Sequence, residues 1–152
     1  MPTSVYYFLQ QVEKGLWSGT SIHLNTDHVI AAQPAQGNGV SLQSNFDASG
    51  VGSLPFIEYS SAYPHAPYTL GFVRTGPSFF INKKWNLHEE ACFANVVVGR
   101  QTVDQIATLR GDVTDPSRIR PVDIVAARRV AWQNLNDLAK AEYAVHSLQR
   151  SL

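Results

Sequence analysis

The chain has 152 residues, the size of one ordinary domain, and 44% of them are hydrophobic, enough for a sizeable core. Lys+Arg and Asp+Glu stand at 12 each, so a net charge of zero offers no long-range attraction to nucleic acid or to an acidic membrane surface. A single cysteine, Cys92, excludes an intramolecular disulfide and a multi-cysteine zinc site; no apolar run nears the roughly 20 residues of a membrane span, and Met1 to Tyr7 has neither the basic nor the apolar region of a secretory signal. The compartment stays open, since one cysteine suits a reducing compartment as well as an organelle reached through a removed transit peptide.

In chain order, residues 4–14 predict a helix. Val5, Phe8, Leu9 and Val12 recur at three- and four-residue spacing, Thr3 or Ser4 is the expected N-cap, and Gly15 ends the run. Strand-like segments follow over 20–24 and 29–32. Residues 34–53 are rich in glycine and turn formers and read as a surface excursion. Residues 54–68 mix aromatics with prolines, which argues for extended or edge structure. Strands are expected over 69–73, 78–82 and 91–98, with a turn at Gly76-Pro77 between the first two. A short helix over 102–109 and a strand over 120–126 come next. From about Arg128 to Leu152 the spacing of Leu135, Leu138, Ala141, Val145 and Leu148 predicts a long helix. Its apolar stripe suits an intramolecular core or an interhelical seam. This order predicts an α+β protein built around a barrel or sandwich. It divides into a domain over 1–127 and a helical extension over 128–152.

The residues from Leu70 to Leu109 carry a family resemblance. Leu70-Gly71-Phe72-Val73, then Gly76-Pro77-Ser78-Phe79-Phe80-Ile81, then Trp85, then Phe93 with Gly99 and Val103-Asp104-Gln105-Ile106, resemble the central half of a cyclophilin. Ser21-Ile22-His23-Leu24 stands where that family has Phe-His-Arg, Gln33 falls near its glutamine before a glycine pair, and residues 120–125 are similar to its closing strand. The resemblance implies a cyclophilin-like antiparallel β-barrel, shortened because the family's first two strands are expected to be absent, with an added C-terminal helix.

Prolyl isomerisation has a barrier of about 18–20 kcal/mol, because the amide loses resonance as it twists. A catalyst needs an apolar seat for the ring and a donor aimed at the prolyl nitrogen. The resemblance implies that Phe80, Phe93 and Ile30 line the proline pocket, that Trp85 sits on the rim, and that Gln33 binds peptide backbone. His88 lies two residues from Glu90, the position of the family's pocket histidine. The departures weigh more. Leu24 occupies the place of the arginine that donates toward the prolyl nitrogen, and Ser78 stands where the family has glutamine. Losing a preorganised donor costs on the order of 100–1000-fold in rate. Arg74, in the shortened loop, is the candidate substitute donor.

Simpler roles stand beside these. Phe79, Phe80 and Phe93 suit a core as well as a pocket. His88 and Cys92 are four apart but no third ligand accompanies them, so no metal and no cofactor is expected. His23, His28 and His65 show no ligand spacing and read as structural or exposed. Removing two strands from a barrel leaves two edges to be covered by the C-terminal helix, the 34–68 excursion or another polypeptide. Two functions are therefore expected: a non-catalytic cyclophilin-like interaction module, such as an accessory subunit, or an active prolyl isomerase with a rearranged pocket that binds proline-containing peptide.

Overall fold

A computed structural model describes residues 1–88, 90, 92–111, 114–115 and 117–131. The chain runs α1 (Pro2–Glu13), β1 (Thr20–Asn25), β2 (Val29–Gln33), α2 (Gln43–Ala48), β3 (Thr69–Phe72), β4 (Phe79–Asn82), β5 (Cys92–Asn95), α3 (Arg100–Ala107) and β6 (Arg118–Ile124). All six strands join one antiparallel sheet in the order β5-β3-β4-β2-β1-β6. The expected α+β class and strand set are present. The barrel is an open sheet, with β5 and β6 at its ends.

The elements form where period and turn chemistry agree. The β3–β4 connection takes a positive φ of 54° at Arg74 and 81° at Gly76, and Gly76-Pro77 is cis. A Cβ on Gly76 would lie 3.0 Å from the Phe72 ring, so glycine is needed there for space as well as for φ.

The core lies on one face of the sheet, under α1. Phe8 of α1 meets Phe79 at 5.5 Å, Phe93 at 5.3 Å and Phe72 at 6.1 Å between ring centres, and Trp17 meets Phe79 at 4.6 Å and Phe46 at 4.9 Å. Each such pair contributes about 0.5–1.5 kcal/mol beyond the area it buries. The Gln11 amide is buried among them. It accepts from Trp17 Nε1 at 3.0 Å and donates to the Val51 carbonyl at 2.7 Å, which ties the 34–53 excursion to the helix.

Three expectations are corrected. The excursion over 34–53 contains α2, whose Phe46 is fully buried against Trp17, so it is part of the core. Its glycines and polar residues hid one anchoring aromatic. The helix expected over 102–109 begins two residues earlier, at Arg100, directly after Gly99 in the left-handed region. Neither Thr3 nor Ser4 caps α1. Met1 is the N-cap without a side-chain bond, and Pro2 opens the helix. The cap comes from Glu58, whose carboxylate accepts from Thr3 N at 3.1 Å, Ser4 N at 2.7 Å and Ser4 Oγ at 2.7 Å. Strand bounds otherwise differ from expectation by three residues or fewer. Arg128 to Ala131 carry no regular structure, and the rest of the helix expected over 128–152 lies outside the described residues.

Burial alone would raise the Glu58 pKa, but the hydrogen bonds from Ser4 and Thr3 outweigh it, and the net shift is downward. A lowered folded-state pKa contributes stability that is present above the ordinary carboxylate range and is lost as pH falls through the folded value. Glu58→Ala is therefore expected to cost about 1–2 kcal/mol at neutral pH, the usual effect of losing a helix cap. Denaturant unfolding of both proteins checks this. The difference should shrink as pH is lowered through the carboxylate range, and an equal difference at about pH 3 would rule out the ionised cap.

Candidate functional site

β4 reads Phe79-Phe80-Ile81-Asn82, and successive strand residues face opposite sides of a sheet. Phe79 and Ile81 face α1. Phe80 faces the other way, opposite Ala31 of β2 and Gly71 of β3, and Gly71 is in turn opposite Cys92 of β5. Ala31, Phe80 and Cys92 are buried together, with Leu24 and Val29 packed against them.

Leu24 reaches this face through a β-bulge. Ile22 pairs with Ala32, yet Leu24 pairs with Ala31, so two steps along β1 match one along β2. Regular alternation would have kept Leu24 beside Ile22 in the core. The extra residue, His23, turns Leu24 to the Phe80 face instead. Across the sheet, Cys92, Gly71, Phe80, Ala31, Leu24 and Arg118 form one row of paired positions. Arg118 is the only guanidinium in that row. It is three strands from Phe80, about 14 Å by strand spacing, and its Nε lies 3.3 Å from Asp115.

The expected pocket residues divide between the faces. Phe80 is on the outer face, and alternation from Ala31 places Gln33 there too. Ile30 is buried in the main core, and Phe93 packs on Phe8 and Phe72 under α1. The structure thus does not bring Ile30 and Phe93 to Phe80; their neighbours Ala31 and Cys92 take those places, because a one-residue step along a strand reverses the side chain. Trp85 is 66% exposed in the stretch after β4. Arg74 is exposed in the β3–β4 turn, at the opposite end of β4 from His88.

Two residues that the sequence reading set aside belong to this site. His65 is buried and its ring lies nearly parallel to Phe80, 5.5 Å away. Its Nε2 is 2.9 Å from the Glu90 carbonyl oxygen. A carbonyl only accepts, so Nε2 carries the proton and Nδ1 is a bare acceptor, buried without a hydrogen-bond partner among the described residues. His88 Nε2 lies 3.2 Å from His28 Nε2, and the His88 ring is 6.1 Å from that of His65. No sequence spacing links positions 28, 65 and 88. The one local signal is that Pro64 and Pro67 bracket His65, which sits at the centre of a tight turn closed by Ala66 N donating to the Pro64 carbonyl at 2.9 Å.

Behind Phe80 a polar cluster joins three strands. Asn82 Nδ2 donates to Thr69 Oγ1 at 2.8 Å and lies 3.5 Å from Cys92 Sγ, Thr69 Oγ1 donates to the Ala66 carbonyl at 2.7 Å, and Asn86 Nδ2 donates to Asn82 Oδ1 at 2.7 Å. Burial raises the Cys92 pKa, and the bonds from Thr69 and Asn82 offset this only in part, so the sulfur is held as an unreactive thiol. Among the described residues no group of three His, Cys, Asp or Glu is arranged to hold a metal ion, and no helix is long and apolar enough to cross a membrane. A concavity of about 560 Å³ lies between α1 and β5 and is lined by Met1, Val5, Tyr6, Leu9, Tyr63 and Phe93.

Comparison with known proteins agrees with this fold. The family model described as cyclophilin type peptidyl-prolyl cis-trans isomerase/CLD matches residues 1–129. A Cryptosporidium parvum cyclophilin type peptidyl-prolyl cis-trans isomerase, solved in the presence of the dipeptide Ala-Pro, is similar in structure with a TM-score of 0.64 and 17% identity, over 86% of this chain and 87% of that one. No curated protein matches the chain in sequence. With the family model spanning most of its length, the chain belongs to the cyclophilin-type peptidyl-prolyl cis-trans isomerase family.

Proposed function

We propose that this protein is a cyclophilin-like protein-interaction module with impaired isomerase activity, acting as an accessory subunit of a larger assembly. The observation that carries this reading is the bulge at His23, which packs Leu24 against the Phe80 cluster where the family's chemistry calls for a guanidinium. Leucine supplies no donor to a twisting prolyl amide. Phe80 also keeps only 4% of its surface exposed, with the His65 ring lying over it. An apolar seat that is filled from within the chain and lacks its donor favours holding over turnover.

The sheet ends support a partner. Alternating directions along six antiparallel strands leave β5 and β6 running opposite to each other. Inserting two antiparallel strands between them keeps every pair antiparallel, whereas inserting one forces a parallel pair. A two-stranded ribbon from another polypeptide, added by β-augmentation, fits this parity. Its apolar face would meet the concavity beside β5. Among the described residues the outer edge of β6 carries one bridge, Gly111 to Ile119.

A second reading, an active isomerase that binds proline-containing peptide through a rearranged pocket, is favoured by Phe80 and Gln33 sharing the outer face, with Arg74 as donor from the β3–β4 turn. An isomerisation assay on a proline peptide separates the two. Wild-type turnover is expected on the order of 100–1000-fold below that of an active family member, rising in Leu24→Arg. Robust wild-type turnover that disappears in Arg74→Ala would overturn the module reading. Amide exchange tests the edges. In the isolated chain, β5 amides that face away from β3 should exchange far faster than those of β4, and equal protection would mean that the edge is already covered.

A further inference from the structure

Three histidines from three separate segments form a chain that starts over Phe80: His65 lies on that ring, His88 is 6.1 Å from His65 and His28 is 4.9 Å from His88, between ring centres. His28 sits in the β1–β2 turn, His65 in the loop before β3, and His88 in the stretch after β4. The stretch carrying Asn86, His88 and Glu90 grips His65 twice: Asn86 N donates to the His65 carbonyl at 3.2 Å, and His65 Nε2 donates to the Glu90 carbonyl at 2.9 Å. The same stretch is tied to the β1–β2 turn through His88 and His28. Their Nε2 atoms are 3.2 Å apart while their ring centres are 4.9 Å apart, so the two nitrogens face each other. Such a contact needs an N–H on one ring and a bare nitrogen on the other.

We propose that this cluster is a pH-sensitive closure: the N–H···N bond between His28 and His88 holds the stretch after β4, and through it the His65 ring, over Phe80, and protonation of both imidazoles releases it. With both rings cationic, each facing nitrogen carries a hydrogen, no acceptor remains, and two like charges stand in contact.

The surrounding charges sharpen the response. The charges acting on His28 are Asp27 from the β1–β2 turn and Lys84 and Lys83 from the stretch after β4, and His65, from the segment before β3, lies 6.1 Å from His88 between ring centres. Asp27 is already engaged by Lys84 at 2.5 Å. Lys83 Nζ donates to Asn25 Oδ1 at 2.6 Å and to the Thr26 carbonyl. Burial, then the charge on His88, holds the His28 pKa below its ordinary 6.5; Asp27 opposes this, and Lys84 and Lys83 add to it. A histidine whose folded pKa is lowered gives stability that is complete above its ordinary value and is lost as pH falls through the lowered one. Closure therefore belongs to neutral pH and opening to mildly acid pH. The device governs access to Phe80, and it stands or falls independently of whether prolines are turned over there.

Proton NMR on the full chain tests it. The nuclear Overhauser contact between the His65 and Phe80 rings should be present at about pH 7.5 and lost by about pH 5, while the Trp17 indole signal keeps its folded position. In His88→Gln, whose amide can bond His28 without titrating, the contact should persist at the lower pH. His28→Gln serves as the reciprocal variant if His88→Gln does not fold. Persistence of the wild-type contact after both imidazoles have titrated would overturn the proposal. So would loss of the contact at the wild-type pH in the variant, or simultaneous loss of the Trp17 signal, which would make the transition global unfolding.

Discussion

The alternation of Phe79 and Phe80 along β4 is the constraint on which the rest of the molecule depends. β4 pairs with β2 on one side and β3 on the other, so its register propagates across the sheet. Phe79 commits one face to α1 and Trp17. Phe80 then faces away from that core and defines the outer face where the candidate site lies. A slip of one residue would exchange the two rings and, with them, every assignment of core and site.

Buried amides hold the layers together where apolar contact alone would be non-directional. Gln11 joins Trp17 to Val51 across the helix and the excursion, and Asn82 joins β4 to Thr69, Cys92 and Asn86. Each bond removes an orphaned polar group that would cost about 1–3 kcal/mol in such surroundings. The Asn82–Asn86 bond matters for the site because it anchors the stretch that carries His88 just beyond the end of β4.

We propose that on the outer face the family scaffold is kept while its chemistry changes. The aromatic floor remains as Phe80, but the side chain beside it across the bulge is Leu24, and the ring over it is an imidazole. Apolar contact and imidazole hydrogen bonds are what this surface offers. Together with the two sheet ends, this favours a protein whose surfaces are used for association.

Much of the fold was legible in the sequence because short-range physics sets it. Apolar spacing marked α1, short strand-like runs marked β1 to β4, and Gly76-Pro77 marked the turn between β3 and β4. The residues from Leu70 to Leu109 pointed to the family, and the family model bears this out. Contacts between residues distant in the chain were not legible. Glu58 caps a helix more than fifty positions away, Phe46 enters the core from a turn-rich excursion, and His65 over Phe80 is linked through His88 to His28 with no spacing to announce it. The expected pocket residues divide between the two faces for a related reason. Ile30 and Phe93 have the right chemistry, but which side of a sheet a residue faces depends on register and on one bulge, and both are settled only when the strands pair.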